Sequence, residues 1–133
     1  MKVALVTGAA QGVGFATARL FAEKGYHVVM TDVQPLDAQV EALVALGGSV
    51  SALSGDISSE AFVVELAEKI ARDHGAADVL VNNAGISLIC SAETTSIEQW
   101  QRVMNINLTG PFLLCREIGK QMLGRNRGNI INV

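Results

Sequence analysis

Three glycines at fixed offsets, in Thr7-Gly8-Ala9-Ala10-Gln11-Gly12-Val13-Gly14, follow directly on an apolar run that ends at Val6, and this arrangement constrains the chain more than any other feature. The run from Lys2 to Val6 reads as a buried strand, too short before Thr7 and Gly8 for the apolar core of a signal peptide. A helix is expected from about Gly14 to Lys24, with Ala18, Leu20 and Phe21 among its packing residues and Gly25 as its stop. Strand, glycine turn and helix in this order are the context that a dinucleotide phosphate site requires. Gly8 can adopt backbone angles closed to other residues, Gly12 leaves the backbone open to a pyrophosphate, and Gly14 permits close helix packing. Free N–H groups and the positive dipole end of the helix would stabilise the anion. Glycines also serve plain strand-to-helix turns. No Gly-Lys-Ser/Thr follows, so a P-loop hydrolase fits poorly.

The remaining pattern alternates in the same way. His27 to Thr31 is a second strand, Asp37 to Leu46 a helix closed by Gly47-Gly48, and Ser49 to Leu53 a third strand. Phe62, Leu66 and Ile70 recur at four-residue steps in a helix expected from Ser59 to Asp73, and Asp78 to Val81 forms a fourth strand. Thr95 with Glu98, or Ser96 with Gln99, has the offset of a capping box that would open a fourth helix, and Asn129 to Val133 reads as a fifth strand. No linker or internal repeat interrupts the order. One α/β domain over residues 1–133, a parallel sheet wrapped by helices, is therefore expected.

Composition narrows the partners. A formal charge of -3 without any block of like charges leaves no footprint for nucleic acid. Cys90 and Cys115 form neither a CxxC nor a Cys/His cluster, which argues against a disulfide scaffold or a zinc site and for a reducing cytoplasm. The longest uncharged stretches, Val3 to Ala18 and Val103 to Cys115, are broken by glycines or by Asn105, Asn107 and Pro111, so no membrane span is expected.

Asp32 stands at the carboxyl end of the second strand, where a carboxylate can accept both adenosine-ribose hydroxyls, and NAD is favoured. Neither Gln11 nor Val33-Gln34 supplies a cation for a 2′-phosphate; a solvated turn aspartate is the plainer reading. Asp56 could support an adenine, with Ile57 adding backbone contact and apolar surface, or it could be a turn or cap residue before the following helix.

Taken in order, Thr7-Gly8-xxx-Gly12-x-Gly14, Asp32, Asp56 and Asn82-Asn83-Ala84-Gly85 resemble the short-chain dehydrogenase/reductase family over essentially the entire chain. The resemblance implies a Rossmann-like doubly wound parallel sheet with helices on both faces, here its N-terminal half. It implies a nicotinamide cofactor held by Gly8, Gln11, Gly12, Val13, Gly14, Asp32, Asp56 and Ile57, with Asn83, Ala84 and Gly85 beside the adenosine half.

Trp100, Val103, Met104, Asn107 and Leu108 share one helical face, so Asn107 is expected as a buried amide in need of partners. Pro111 cannot donate an N–H to the Asn107 carbonyl, and the helix should bend there with an acceptor left free. An oxygen so exposed could hold a water in a proton relay. The resemblance implies that role through Asn107-Leu108-Thr109-Gly110, while a structural asparagine at a proline kink is the alternative.

The family's catalytic serine, tyrosine and lysine have no assignable counterpart: Tyr26 is the only tyrosine and Met30, not lysine, stands four positions later. The expected function is oxidoreduction of a small carbonyl or alcohol with NAD(H), in which this chain supplies the cofactor-binding half. A non-catalytic NAD-binding or assembly module, or an inactive truncated product, is the alternative. Association into a homo-oligomer, or with a complementing C-terminal segment, is expected to cover its open faces. His27 and His74 carry no chemistry in this reading, and Met30 and Met104 are packing residues.

Overall fold

Side chains on a strand alternate between the two faces of a sheet, and the first strand shows what this does for the whole molecule. In the computed structural model, which describes residues 1–133, β1 (Val3–Thr7) turns Val3 and Leu5 into one apolar cluster and Ala4 and Val6 into another. β1 is the central strand of a five-stranded sheet with β2 (His27–Thr31), β3 (Ser49–Ala52), β4 (Val79–Asn82) and β5 (Asn129–Asn132), in the order β3-β2-β1-β4-β5. Every pairing is parallel, with Leu5 opposite Val29 on one side and Leu80 on the other. Strand order reverses beside β1, between the β2 and β4 sides, which in an open α/β sheet is where ligands bind.

Helices cover both faces, as expected. The cluster around Leu5, Val29 and Leu80 is sealed by Leu66 and Ile70 of α3 (Glu60–His74) and by Leu114 and Ile118 of α5 (Gly110–Gly124). The cluster around Val6, Met30 and Val81 is sealed by Ala18 of α1 (Gly12–Glu23) and Leu43 of α2 (Asp37–Ala45). Leu20 differs from expectation: it is 56% exposed, on the outer face of α1, because Ala18 is the helix residue that meets the sheet.

α4 (Ile97–Met104) opens on the Ser96/Gln99 capping box, with both reciprocal hydrogen bonds made, so the Thr95/Glu98 alternative falls away. The expected bend before Pro111 takes a specific form. Residues Asn105–Thr109 form a π-helical turn in which the Gly110 N–H reaches back to the Asn105 carbonyl, and Pro111 falls in the first turn of α5. Proline needs no amide partner at a helix start, and the wider turn joins two helices where one bent helix was expected. At the other end of the sheet the Asp78 carboxylate ties the β1 start to the approach to β5, accepting from Val3 N–H at 2.8 Å and Arg127 at 2.7 Å. Burial raises the pKa of this carboxyl, but the Val3 N–H, Arg127 and Arg125 together outweigh burial and hold it below the ordinary value.

Candidate functional site

Two adjoining clefts open at the carboxyl ends of the strands and share Asn83, Ala84 and Gly85 as a common wall. The first, about 500 Å³, is lined by Gly8, Gln11, Gly12 and Val13 of the glycine turn, Asp32 after β2, Asp56 and Ile57 after β3, and that shared wall. Ten of the sequence-derived site residues thus come together in one place. Gly14 lines neither cleft: a Cβ there would run into the Gly8 carbonyl and lie 2.6 Å from Asn83 Nδ2, so its smallness serves packing of α1 on the turn.

The turn is held by hydrogen bonds that reach from β1 to the segment after β4. Buried Thr7 accepts the N–H groups of Asn83 (3.0 Å) and Ala84 (2.9 Å) on its hydroxyl oxygen, and that hydroxyl donates to the Val81 carbonyl at 3.3 Å. The Asn83 amide donates in return to the Thr7 carbonyl at 3.1 Å and the Gly8 carbonyl at 3.4 Å. Thr7 is the residue whose organising role was least visible in sequence, since a threonine before a glycine turn carries no signal of its own.

Asp32 is oriented by two backbone donors. Its Oδ2 accepts the Ala10 N–H at 3.0 Å and its Oδ1 the Gln34 N–H at 3.1 Å, so each oxygen keeps acceptor capacity toward the cleft. Asp56 forms a local turn, its Oδ1 accepting from the N–H and hydroxyl of Ser58 at 2.9 and 2.7 Å. It is thus a turn residue and not the cap of α3, which is Ser59 with its side chain accepting the Phe62 N–H, and Asp56 lines the cleft at the same time. Ile57 is buried beneath it and occupies the space beside Gly110.

The residues present fit a dinucleotide. Gln11 gives α1 no side-chain cap and its first turn holds no acid, which leaves first-turn amides without a side-chain acceptor. Gly12, at φ +57°, has nothing within 4 Å of where a Cβ would stand, so the backbone is bare toward the cleft. Gly12 and Val13 would hold a diphosphate, Asp32 a ribose, and Ile57 a base.

Asn107 belongs to the second cleft, about 450 Å³, with Asn82, Cys115 and Asn132. The expectation that it is a buried amide is corrected. Asn107 is exposed, and Trp100 and Leu108 of the same face are 57% and 60% exposed, because α4 and the π-helical turn stand clear of the sheet. Its side chain still finds partners: Oδ1 accepts the Ile86 N–H at 2.9 Å and Nδ2 donates to the Ile86 carbonyl at 2.8 Å, as a neighbouring strand would. In the same cleft Asn82 donates to Asn132 Oδ1 at 2.9 Å, while its own buried oxygen has no partner.

Tyr26 lies outside both clefts, edge-on to Phe21 with ring centroids 5.0 Å apart. The cysteines are unpaired, no cluster of side chains suits a metal, and no helix is long and apolar enough to cross a membrane. Sequence reasoning missed Arg102 and Ile106, which line the first cleft from the helix side; nothing local signals this, since it depends on where α4 and the π-helical turn stand beside the cleft.

Comparison with known proteins places this geometry. The family model described as short chain dehydrogenase matches residues 2–133. The D-threitol dehydrogenase of Mycolicibacterium smegmatis is 42% identical over 136 residues, covering 99% of this chain and 52% of its own length. The NAD-dependent glycerol dehydrogenase of Listeria innocua is 37% identical over 132 residues, covering 99% and 52%. Among solved structures, a metagenomic short-chain oxidoreductase in complex with NADP superposes with a TM-score of 0.94 at 37% identity, over 98% of this chain and 61% of its own. The chain spans about half the length of the curated relatives it matches.

Proposed function

The chain belongs to the short-chain dehydrogenase/reductase family, and from that premise we propose that it supplies the NAD-binding half of an oxidoreductase acting on a small carbonyl or alcohol. The observation that carries the choice of NAD is the Asp32 carboxylate, fixed by the Ala10 and Gln34 amides at the ribose end of the cleft. A 2′-phosphate there would meet a negative charge. The similar polyol dehydrogenases, D-threitol dehydrogenase and NAD-dependent glycerol dehydrogenase, support an alcohol or the matching carbonyl as substrate class.

NAD, when bound, supplies the ring that takes up or gives hydride. Gly12 and Val13 bind the diphosphate, Asp32 orients the adenosine ribose, and Asn83 keeps the turn rigid through Thr7. Asn107, braced on Ile86, holds a water at its backbone oxygen for proton transfer in the second cleft. Cys90 and Cys115 as free thiols fit a cytoplasmic setting.

A second reading is an NAD-binding or assembly module without turnover of its own. Calorimetric titration with NAD and NADP, paired with a dehydrogenase assay on a polyol panel, tests both. NAD binding with turnover supports the enzyme reading, NAD binding without turnover the module, and no binding of either dinucleotide rejects both.

A further inference from the structure

The first cleft carries two carboxylates, Asp32 and Asp56, and a single cationic side chain, Arg102. Arg102 takes part in none of the ion pairs of the chain. Its direction follows from the helix geometry. Gly110 sits where a Cβ would come within 2.8 Å of Ile57 Cδ1, so the chain leaving the π-helical turn presses on Ile57. Ile106 lies four residues before Gly110 and Arg102 four before that, and both line the cleft that Ile57 lines. Ile57, almost fully buried, and Ile106 thus give the cleft an apolar lining on the Asp56 side, and Arg102 lines the same cleft one helical step further along.

Resting on the NAD reading, we infer that Arg102 is a specificity-determining residue of the adenosine end, where its planar guanidinium closes over the face of a purine base seated on the Ile57–Ile106 lining. That lining suits a flat apolar ring, and a guanidinium stacks on such a ring better than an ammonium does. Its charge also offsets Asp32 and Asp56, which would otherwise leave the cleft negative toward an anionic ligand.

Calorimetric titration of the protein and of Arg102→Ala and Arg102→Lys with NAD, NADP, AMP and nicotinamide mononucleotide tests this. Arg102 is exposed, so the variants should keep the melting temperature of the unsubstituted protein. Arg102→Ala should weaken NAD and AMP by a common factor of roughly fivefold to thirtyfold and leave nicotinamide mononucleotide unchanged. Arg102→Lys should recover only part of that loss, and the loss should persist at high salt. Unchanged NAD and AMP affinity in Arg102→Ala, an equal loss for the mononucleotide, or full recovery by lysine would overturn the inference while leaving the NAD site standing. A loss confined to NADP would reassign Arg102 to a 2′-phosphate and overturn it as well. Failure of the unsubstituted protein to bind NAD would remove the reading on which it rests.

Discussion

Thr7 and Asn83, 76 positions apart, hold each other reciprocally: the Asn83 N–H donates to Thr7 Oγ1 at 3.0 Å, and the Asn83 amide donates to the Thr7 carbonyl at 3.1 Å. This pair joins the glycine turn to the wall shared by both clefts, so the two halves of the site are one rigid unit. Thr7→Val keeps the shape of the side chain and removes the hydroxyl, leaving the Ala84 N–H short of an acceptor and the Asn83 N–H with the Val81 carbonyl alone, at 3.1 Å. A loss of about 1–3 kcal/mol in urea-induced unfolding is expected, together with weaker NAD binding. An unfolding midpoint equal to that of the unsubstituted protein would show that the clamp contributes nothing.

Gly12 and Gly14 should fail in different ways. Gly14→Ala places a methyl group against the Gly8 carbonyl and Asn83 Nδ2, so the turn must shift; overpacking of this kind costs about 1–3 kcal/mol or more. Gly12→Ala meets no protein atom within 4 Å but needs φ near +57°, a strain of about 1–2 kcal/mol, and its methyl group projects where the ligand would lie. Thermal melts and NAD titrations of both variants should show stability falling more for Gly14→Ala, and affinity relative to stability falling more for Gly12→Ala.

Asp32→Asn keeps an acceptor for the Ala10 or Gln34 N–H and removes the charge. Each ribose hydroxyl that loses a carboxylate acceptor costs roughly 1.5–3 kcal/mol less the strength of the neutral bond that replaces it. NAD should therefore bind more weakly and the discrimination against NADP should shrink. Competition titrations of the two dinucleotides measure both effects, and an unaltered preference would count against Asp32 as the selector.

His27 makes stability depend on pH. Its ring nitrogens lie 2.8 Å from Ser49 Oγ and 2.9 Å from Ser51 Oγ, and its ring packs on His74 with centroids 4.1 Å apart. Burial first, then the charges of His74 and Lys69, hold its pKa below the ordinary 6.5. As pH falls the unfolded chain takes up this proton first, so the contribution is complete above about pH 6.5 and is lost as pH drops through that value toward the folded one. The melting temperature should fall on acidification from about pH 7 to about pH 5, and His27→Gln should flatten that slope.

Much of the fold was legible because strand and helix periods and glycine positions act locally: all five strands were placed to within a residue or two. That Gly8, Gly12 and Asp32 share one cleft was legible for the same reason, since each stands just after a strand whose place in the sheet follows from the alternating pattern. Asn107 was misread as buried because a shared helical face says nothing about whether another element lies against it. The π-helical turn escaped because Pro111 signals a missing donor but not how the chain accommodates it. Arg102 escaped because its place in the cleft depends on the contact between Gly110 and Ile57, residues 53 positions apart by their numbers. The His27–His74 stack is likewise a long-range meeting of two elements.

The central position of β1 sets an order of events during synthesis. Ala4 can pair with Val28 soon after both leave the ribosome, but its other neighbour, Val79, is made 75 residues after it. The α1–α2 face can therefore begin to close early and take in Val79 and Val81 later, while the face that needs α3 and α5 waits with Leu5 uncovered. A nascent polypeptide of this topology spends that interval with one greasy side bare, which makes it a natural client for a chaperone that grips apolar segments.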